Sequence, residues 1–125
     1  MTSCKAVGRV GVFVLVMGAT LIPTAAFAAH VPQRYAAGQV VYEYWCAACH
    51  DPGITHPGTH ALMVKYPGGG RATGVITEWT DLPATYVSYM VRHGMSVMPQ
   101  FRKTEITDGE LAALAAYLSR NTPEK

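Results

Sequence analysis

The stretch Cys46-Ala47-Ala48-Cys49-His50 governs the reading of this 125-residue chain. Two cysteines three apart, with a histidine directly after the second, form the attachment signature of a c-type haem. The spacing carries the chemistry. On one helical turn both thiols can form thioethers to vinyl groups on the same porphyrin edge, and the next residue can offer its imidazole to the iron. Two other chemistries use paired cysteines. A thioredoxin-like dithiol follows a β-strand, whereas the residues before Cys46 carry a helical pattern. A structural zinc site needs four Cys or His ligands, usually with a second close pair, and His56 and His60, four apart, could supply that pair.

The beginning of the chain has a different character. Lys5 and Arg9 precede an almost wholly apolar or small run at 10–22, and Ala26-Phe27-Ala28 ends it with small residues. This is the pattern of a secretory signal peptide, so residues 1–28 are expected to be cleaved, leaving a domain of 29–125 exported to the periplasm. The apolar run is shorter than the ~20 residues needed to span a bilayer. Without 1–28 the net charge of +2 disappears, because Lys5 and Arg9 leave and no acidic residue does. Nothing in the charge of a neutral domain argues for nucleic acid or another polyanion as partner. Cys4 leaves as well, so Cys46 and Cys49 are the only cysteines remaining, with none spare for a disulfide. A domain this small buries only a modest core, which a covalently held apolar macrocycle would complete.

The periodicity predicts a first helix over 35–48. Val41, Trp45 and Ala48 recur on one face with Val40, Tyr44 and Ala47 beside them, so most of this helix should be buried. Gly38 lowers helix propensity and implies a close contact. From 51 to 80 the chain is a long connection punctuated by proline and glycine, with 61–66 as its only expected helical turn. An ordered loop of that length needs something to wrap. A carbonyl near Pro57 could accept the His50 Nδ1 hydrogen and so aim Nε2 outward. The Trp79 indole N–H and the Arg71 guanidinium are candidates to bind haem propionates. Asp81 is expected as N-cap, with Pro83 in the first turn, for a helix running to about residue 93. Leu82, Tyr86 and Met90, with Tyr89 or His93, should share its inner face, and Gly94 should end it.

The next informative stretch is Gly94-Met95-Ser96-Val97-Met98-Pro99-Gln100-Phe101. An electron-transfer haem needs a strong sixth ligand, and a thioether also raises the reduction potential. Met95 and Met98 both qualify. Met98 is preferred because Pro99 fixes the backbone after it and Phe101 can pack behind the loop. Thr107-Asp108-Gly109-Glu110 reads as a capping box for a last helix, with Leu111, Leu114, Ala115 and Leu118 on its buried face. Asn121 and Pro123 should stop it. Ala112, Ala113 and Ala116 are small enough for the Gly38 face to come close, with Tyr117 at the crossing.

Taken together, the Cys46 to His50 motif, the Met98-Pro99 pair and the Gly38…Tyr42…Cys46 helix resemble class I monohaem cytochromes c. That resemblance implies an all-α cytochrome c fold, three to four helices and long loops around one covalent haem c. It implies His50 and Met98 as axial ligands, with a proline carbonyl, here that of Pro57, orienting the histidine. A narrower resemblance lies in His56-Pro57-Gly58-Thr59, Val91-Arg92-His93-Gly94 and the run from Met98 through Glu105. These are similar to the cytochrome subunits of flavocytochromes of the p-cresol methylhydroxylase and eugenol hydroxylase type. Such a subunit is not itself catalytic; it accepts single electrons from a flavin on a separate subunit and passes them to a downstream acceptor. Two other functions stay open on the residues alone. One is a free-standing carrier between another periplasmic dehydrogenase and a terminal oxidase; the other is a haem sensor or enzyme with a displaceable methionine. For electron transfer, the expected docking surface surrounds Ala47, Ala48 and the loop 97–102.

Overall fold

In the computed structural model, which describes residues 31–123, the molecule is organised around a crossing of its first and last long helices, α1 (Ala36–Trp45) and α5 (Asp108–Ser119). The expected leader at 1–28 lies outside the described residues. Gly38 makes the crossing possible. A Cβ there would stand 2.6 Å from the Tyr117 Cβ and would also run into the Ala113 carbonyl. Tyr42, one turn later, packs on Tyr117 with ring centroids 5.7 Å apart. Val41, Leu111, Leu114, Ala115 and Leu118 fill the core around this contact.

Between these helices lie α2 (Ala47–His50), α3 (Pro57–Lys65) and α4 (Ala84–His93), with short 3₁₀ turns at Gln33–Tyr35 and Gly69–Arg71. The described residues contain no β-strand, so the all-α expectation holds. Among the described residues there are five α-helices rather than three to four, because a break at Cys46 separates a single turn, α2, from α1. Helix α3 is longer than the predicted 61–66. Pro57 fits its first position, where no intrahelical N–H is needed, and so starts it four residues earlier.

Three further expectations are corrected. Val40 and Tyr44 point to solvent, leaving Gly38, Val41 and Tyr42 as the buried face of α1. Asp81 does not cap α4. Pro83 occupies the N-cap position, and both Asp81 carboxylate oxygens accept from Arg71 Nε at 3.0 Å. The inner face of α4 is Val87 and Val91, continuing from Leu82, whereas Tyr86 and Tyr89 are exposed. The two candidate stripes, 86/90 and 87/91, are offset by one residue, and the β-branched pair occupies the core.

The long connection is held down at its C-terminal end. Val75, Trp79 and Leu82 are buried. Arg120 and Asn121 both donate to the Thr77 carbonyl at 3.0 Å, and the Leu82 N–H donates to the Thr122 hydroxyl at 2.8 Å. The capping box forms as read. Thr107 Oγ1 accepts from the Glu110 N–H, and Glu110 Oε2 accepts from the Thr107 N–H at 2.8 Å. Replacing Thr107 by alanine removes the cap and is expected to cost about 1 kcal/mol, measurable by thermal or denaturant unfolding.

Candidate haem site

The Cys46 N–H still bonds the Tyr42 carbonyl at 2.8 Å, but its φ of −114° breaks the helix. The chain then makes one more turn, in which the Cys49 and His50 N–H groups both reach the Cys46 carbonyl, at 3.0 and 2.9 Å. This brings both thiols and the imidazole onto a single turn. The cysteines are free; Cys46 is half-buried and Cys49 exposed. Burial, with the Cys49 charge adding to it, pushes the Cys46 thiol up to about 12. A redox dithiol needs the opposite shift, so the structure disfavours that chemistry. Zinc is disfavoured too. No three His, Cys, Asp or Glu side chains converge among the described residues, and His56 Nδ1 sits 3.2 Å from the Ala48 carbonyl instead.

His50 is held from three sides. The Tyr42 hydroxyl donates to its carbonyl at 2.9 Å, and the wholly buried Thr59 donates to the next carbonyl, that of Asp51, at 2.9 Å. Burial, assisted by Asp51, raises the Tyr42 pKa well above the ordinary phenol range, so the hydroxyl remains a donor. Gly58, in the first turn of α3, lies against the imidazole. A Cβ there would be 2.7 Å from Cε1 and 2.9 Å from Nδ1. Burial lowers the His50 pKa and keeps the ring neutral, the form that binds a metal. Nδ1 is buried without a hydrogen-bond partner, while Nε2 is not enclosed in this way. The hydrogen bond from Nδ1 to the Pro57 carbonyl is therefore not made. Pro57 is the first residue of α3, and its carbonyl is committed to the helix.

Met98 sits in a tight ribbon after α4. Gly94 turns the chain with φ of +68°. Met95 and Met98 then pair across two residues, exchanging N–H···O bonds of 3.1 and 2.9 Å. Met98 is half-buried against the core, and Met95 is more exposed. Arg92 braces the ribbon: one guanidinium nitrogen donates to the Phe101 carbonyl at 3.0 Å and the other to Asp108 at 2.9 Å. Phe101 packs edge-on against Trp45, the residue before Cys46, with centroids 5.7 Å apart. At its far end α3 also reaches the ribbon, through Lys65 Nζ at 3.8 Å from the Met95 sulfur. One short helix thus contacts both candidate ligand segments.

Trp79 and Arg71 are brought together. Trp79 is 3% exposed, and its indole N–H has no acceptor. The Arg71 guanidinium lies 4.6 Å from the Trp79 ring centre and 5.2 Å from that of Tyr66, while its Nη2 donates to the Asp81 carbonyl at 3.2 Å. The hydrogen bond to Asp81 raises the Arg71 pKa. A buried donor left unpaired costs about 1–3 kcal/mol. An anionic group arriving beside Trp79 and Arg71, such as a haem propionate, would remove that cost. The donor set fits a haem: two free thiols and a neutral imidazole on one turn, a thioether in a fixed ribbon, and an orphaned buried N–H.

Four contributors were not singled out from the residues. They are Gly58, the Tyr42 hydroxyl, Thr59 and Arg92. Gly58 carries the most readable signal, a glycine directly after a proline and eight residues beyond His50; the other three act across the fold.

A family described as cytochrome c oxidase, cbb3-type, subunit III matches residues 33–118. The chain belongs to this cytochrome c family. As a cytochrome c it carries covalently bound haem c and serves electron transport. The cytochrome is 28% identical over 95 residues to the 4-cresol dehydrogenase [hydroxylating] cytochrome c subunit of Pseudomonas putida, an alignment covering 76% of this chain and 69% of that one. It also matches a crystal structure of p-cresol methylhydroxylase with substrate bound, at 24% identity and a TM-score of 0.43, covering 73% of this cytochrome and 99% of that chain. No described helix of the cytochrome is long and apolar enough to cross a membrane.

Proposed function

We propose that this cytochrome is the electron-accepting subunit of a flavoprotein dehydrogenase acting on 4-alkylphenols, exported to the periplasm after cleavage of residues 1–28. Cys46 and Cys49 would hold the haem through thioethers, and His50 and Met98 would bind its iron. When bound, the haem supplies a reversible one-electron centre. The chain's own residues keep its surroundings fixed. Tyr42, Thr59 and Gly58 immobilise His50, Arg92 ties down the Met98 ribbon, and Trp79 with Arg71 offers donors to a propionate. Such fixed surroundings keep reorganisation small, which suits electron transfer rather than substrate turnover.

The observation that carries the haem assignment is the single turn bearing Cys46, Cys49 and a neutral His50. The flavoprotein partner is supported by the relative from Pseudomonas putida. Docking is assigned to the surface formed by exposed Ala48 and Cys49 and by the ribbon tip, where Val97 is 85% exposed. An apolar tip rimmed by polar groups is the composition of a contact core.

The test mixes the haem-loaded cytochrome with a flavoprotein subunit of the 4-cresol dehydrogenase type and 4-alkylphenol under anaerobic conditions. The cytochrome is expected to be reduced in proportion to substrate, with no reduction when flavoprotein or substrate is omitted. Reduction by ascorbate but not by the reduced flavoprotein would contradict the assigned partner and favour a free-standing carrier.

A further inference from the structure

The ribbon after α4 presents two thioethers, and only one is used in the proposed ligand set. Met95 and Met98 are a directly opposed antiparallel pair, each giving its N–H to the other's carbonyl. Directly opposed residues of such a pair project their side chains to the same face, with Cα atoms about 5.5 Å apart. Of the two residues between them, Ser96 has φ of +55° and Val97 does not have a positive φ. That sign pattern belongs to a two-residue II′ turn, a rigid hairpin connection.

The ribbon does not depend on the Met98 side chain. It is held by the two backbone bonds, by the Phe101 N–H bonded to the Val91 carbonyl at 2.8 Å, and by Arg92 on the Phe101 carbonyl. Met95 is lightly held by comparison. It is 46% exposed, and its sulfur has only the Lys65 ammonium at 3.8 Å. A methionine side chain has three rotatable bonds and adapts to irregular space. From this geometry we infer that Met95 is a reserve axial ligand: where the Met98 thioether is lost, the Met95 sulfur takes its place on the iron. The exchange replaces one neutral thioether lone pair with another and leaves the electron count unchanged. It rests on the proposal that Met98 is the resident ligand.

The test uses the haem-loaded chain and the methionine–iron charge-transfer band, recorded for wild type, Met95→Ala, Met98→Ala, Met98→Leu and the double alanine variant. Wild type and Met95→Ala are expected to show the band in full. Met98→Ala should keep a shifted band, and the double variant should lose it. Met98→Leu, which refills the space, should keep less of it than Met98→Ala. Loss of the band in Met98→Ala with a normal Met95→Ala would overturn the reserve role and leave Met98 as ligand. Loss in Met95→Ala with a normal Met98→Ala would overturn the Met98 assignment itself. A band absent from wild type, or surviving in the double variant, would overturn both.

Discussion

Replacement of both Cys46 and Cys49 by serine is expected to abolish covalent haem attachment, so that acidified organic solvent extracts all the haem. The single variants should each retain one thioether and an altered absorbance spectrum. The effect follows from the positions of the two thiols. The Cys49 and His50 N–H groups converge on the Cys46 carbonyl, placing the cysteines and histidine on one turn. The protein's stability should fall with the haem. Among the described residues Cys46 and Cys49 are free thiols, so no disulfide there compensates a small core. Trp79 would also keep its buried, unpartnered indole N–H. A double serine variant that still held haem against extraction would show that the attachment lies elsewhere.

Gly38→Ala is expected to be among the most damaging single-atom additions available in the chain. In an ordinary helix the change would stabilise by about 1 kcal/mol through propensity. Here the added Cβ would meet the Tyr117 Cβ at 2.6 Å and the Ala113 backbone. Neither neighbour can yield cheaply. Ala113 is backbone within α5, and Tyr117 is held by the Tyr42 ring and by the Arg120 guanidinium 4.3 Å from its ring centre. The helices must therefore separate along the main core contact. Overpacking of this kind costs about 3 kcal/mol or more, well above the propensity gain. The melting temperature of the haem-loaded protein should fall by roughly 10 °C or more for a domain of this size. Gly38→Val should be worse still. An unchanged melting temperature for Gly38→Ala would mean that α1 and α5 do not cross closely.

The parts legible from sequence were those fixed by local chemistry. The capping box at Thr107 and Glu110 needs only residues three apart, and it forms as read. Gly38 signalled a close approach because a glycine inside a periodic helix has few other uses, and Ala113 and Tyr117 are its neighbours. The misread parts depend on partners distant in sequence. Asp81 has the composition of an N-cap, yet Arg71 ten residues earlier takes its carboxylate. The inner face of α4 was ambiguous because Tyr86 with Met90 and Val87 with Val91 have identical helical spacing. Only packing against α5 separates them. Val40 and Tyr44 were expected inside for the same reason; α1 meets its partner over a narrower stripe than its apolar content suggests. Around the site, the placing of Cys46, Cys49 and His50 on one turn was legible. The groups that steady it were not, since Tyr42, Thr59 and Gly58 act through contacts that only the folded chain creates.

The central assignment is one haem held covalently by the turn from Cys46 to His50. The direct measurement is mass spectrometry of the chain matured with a c-type haem attachment system, followed by digestion and a pyridine haemochrome assay. One haem per chain is predicted, carried on the peptide that contains both Cys46 and Cys49 and resistant to acid extraction. A colourless chain with two unmodified thiols at Cys46 and Cys49, or a haem that leaves in acidified solvent, would contradict it.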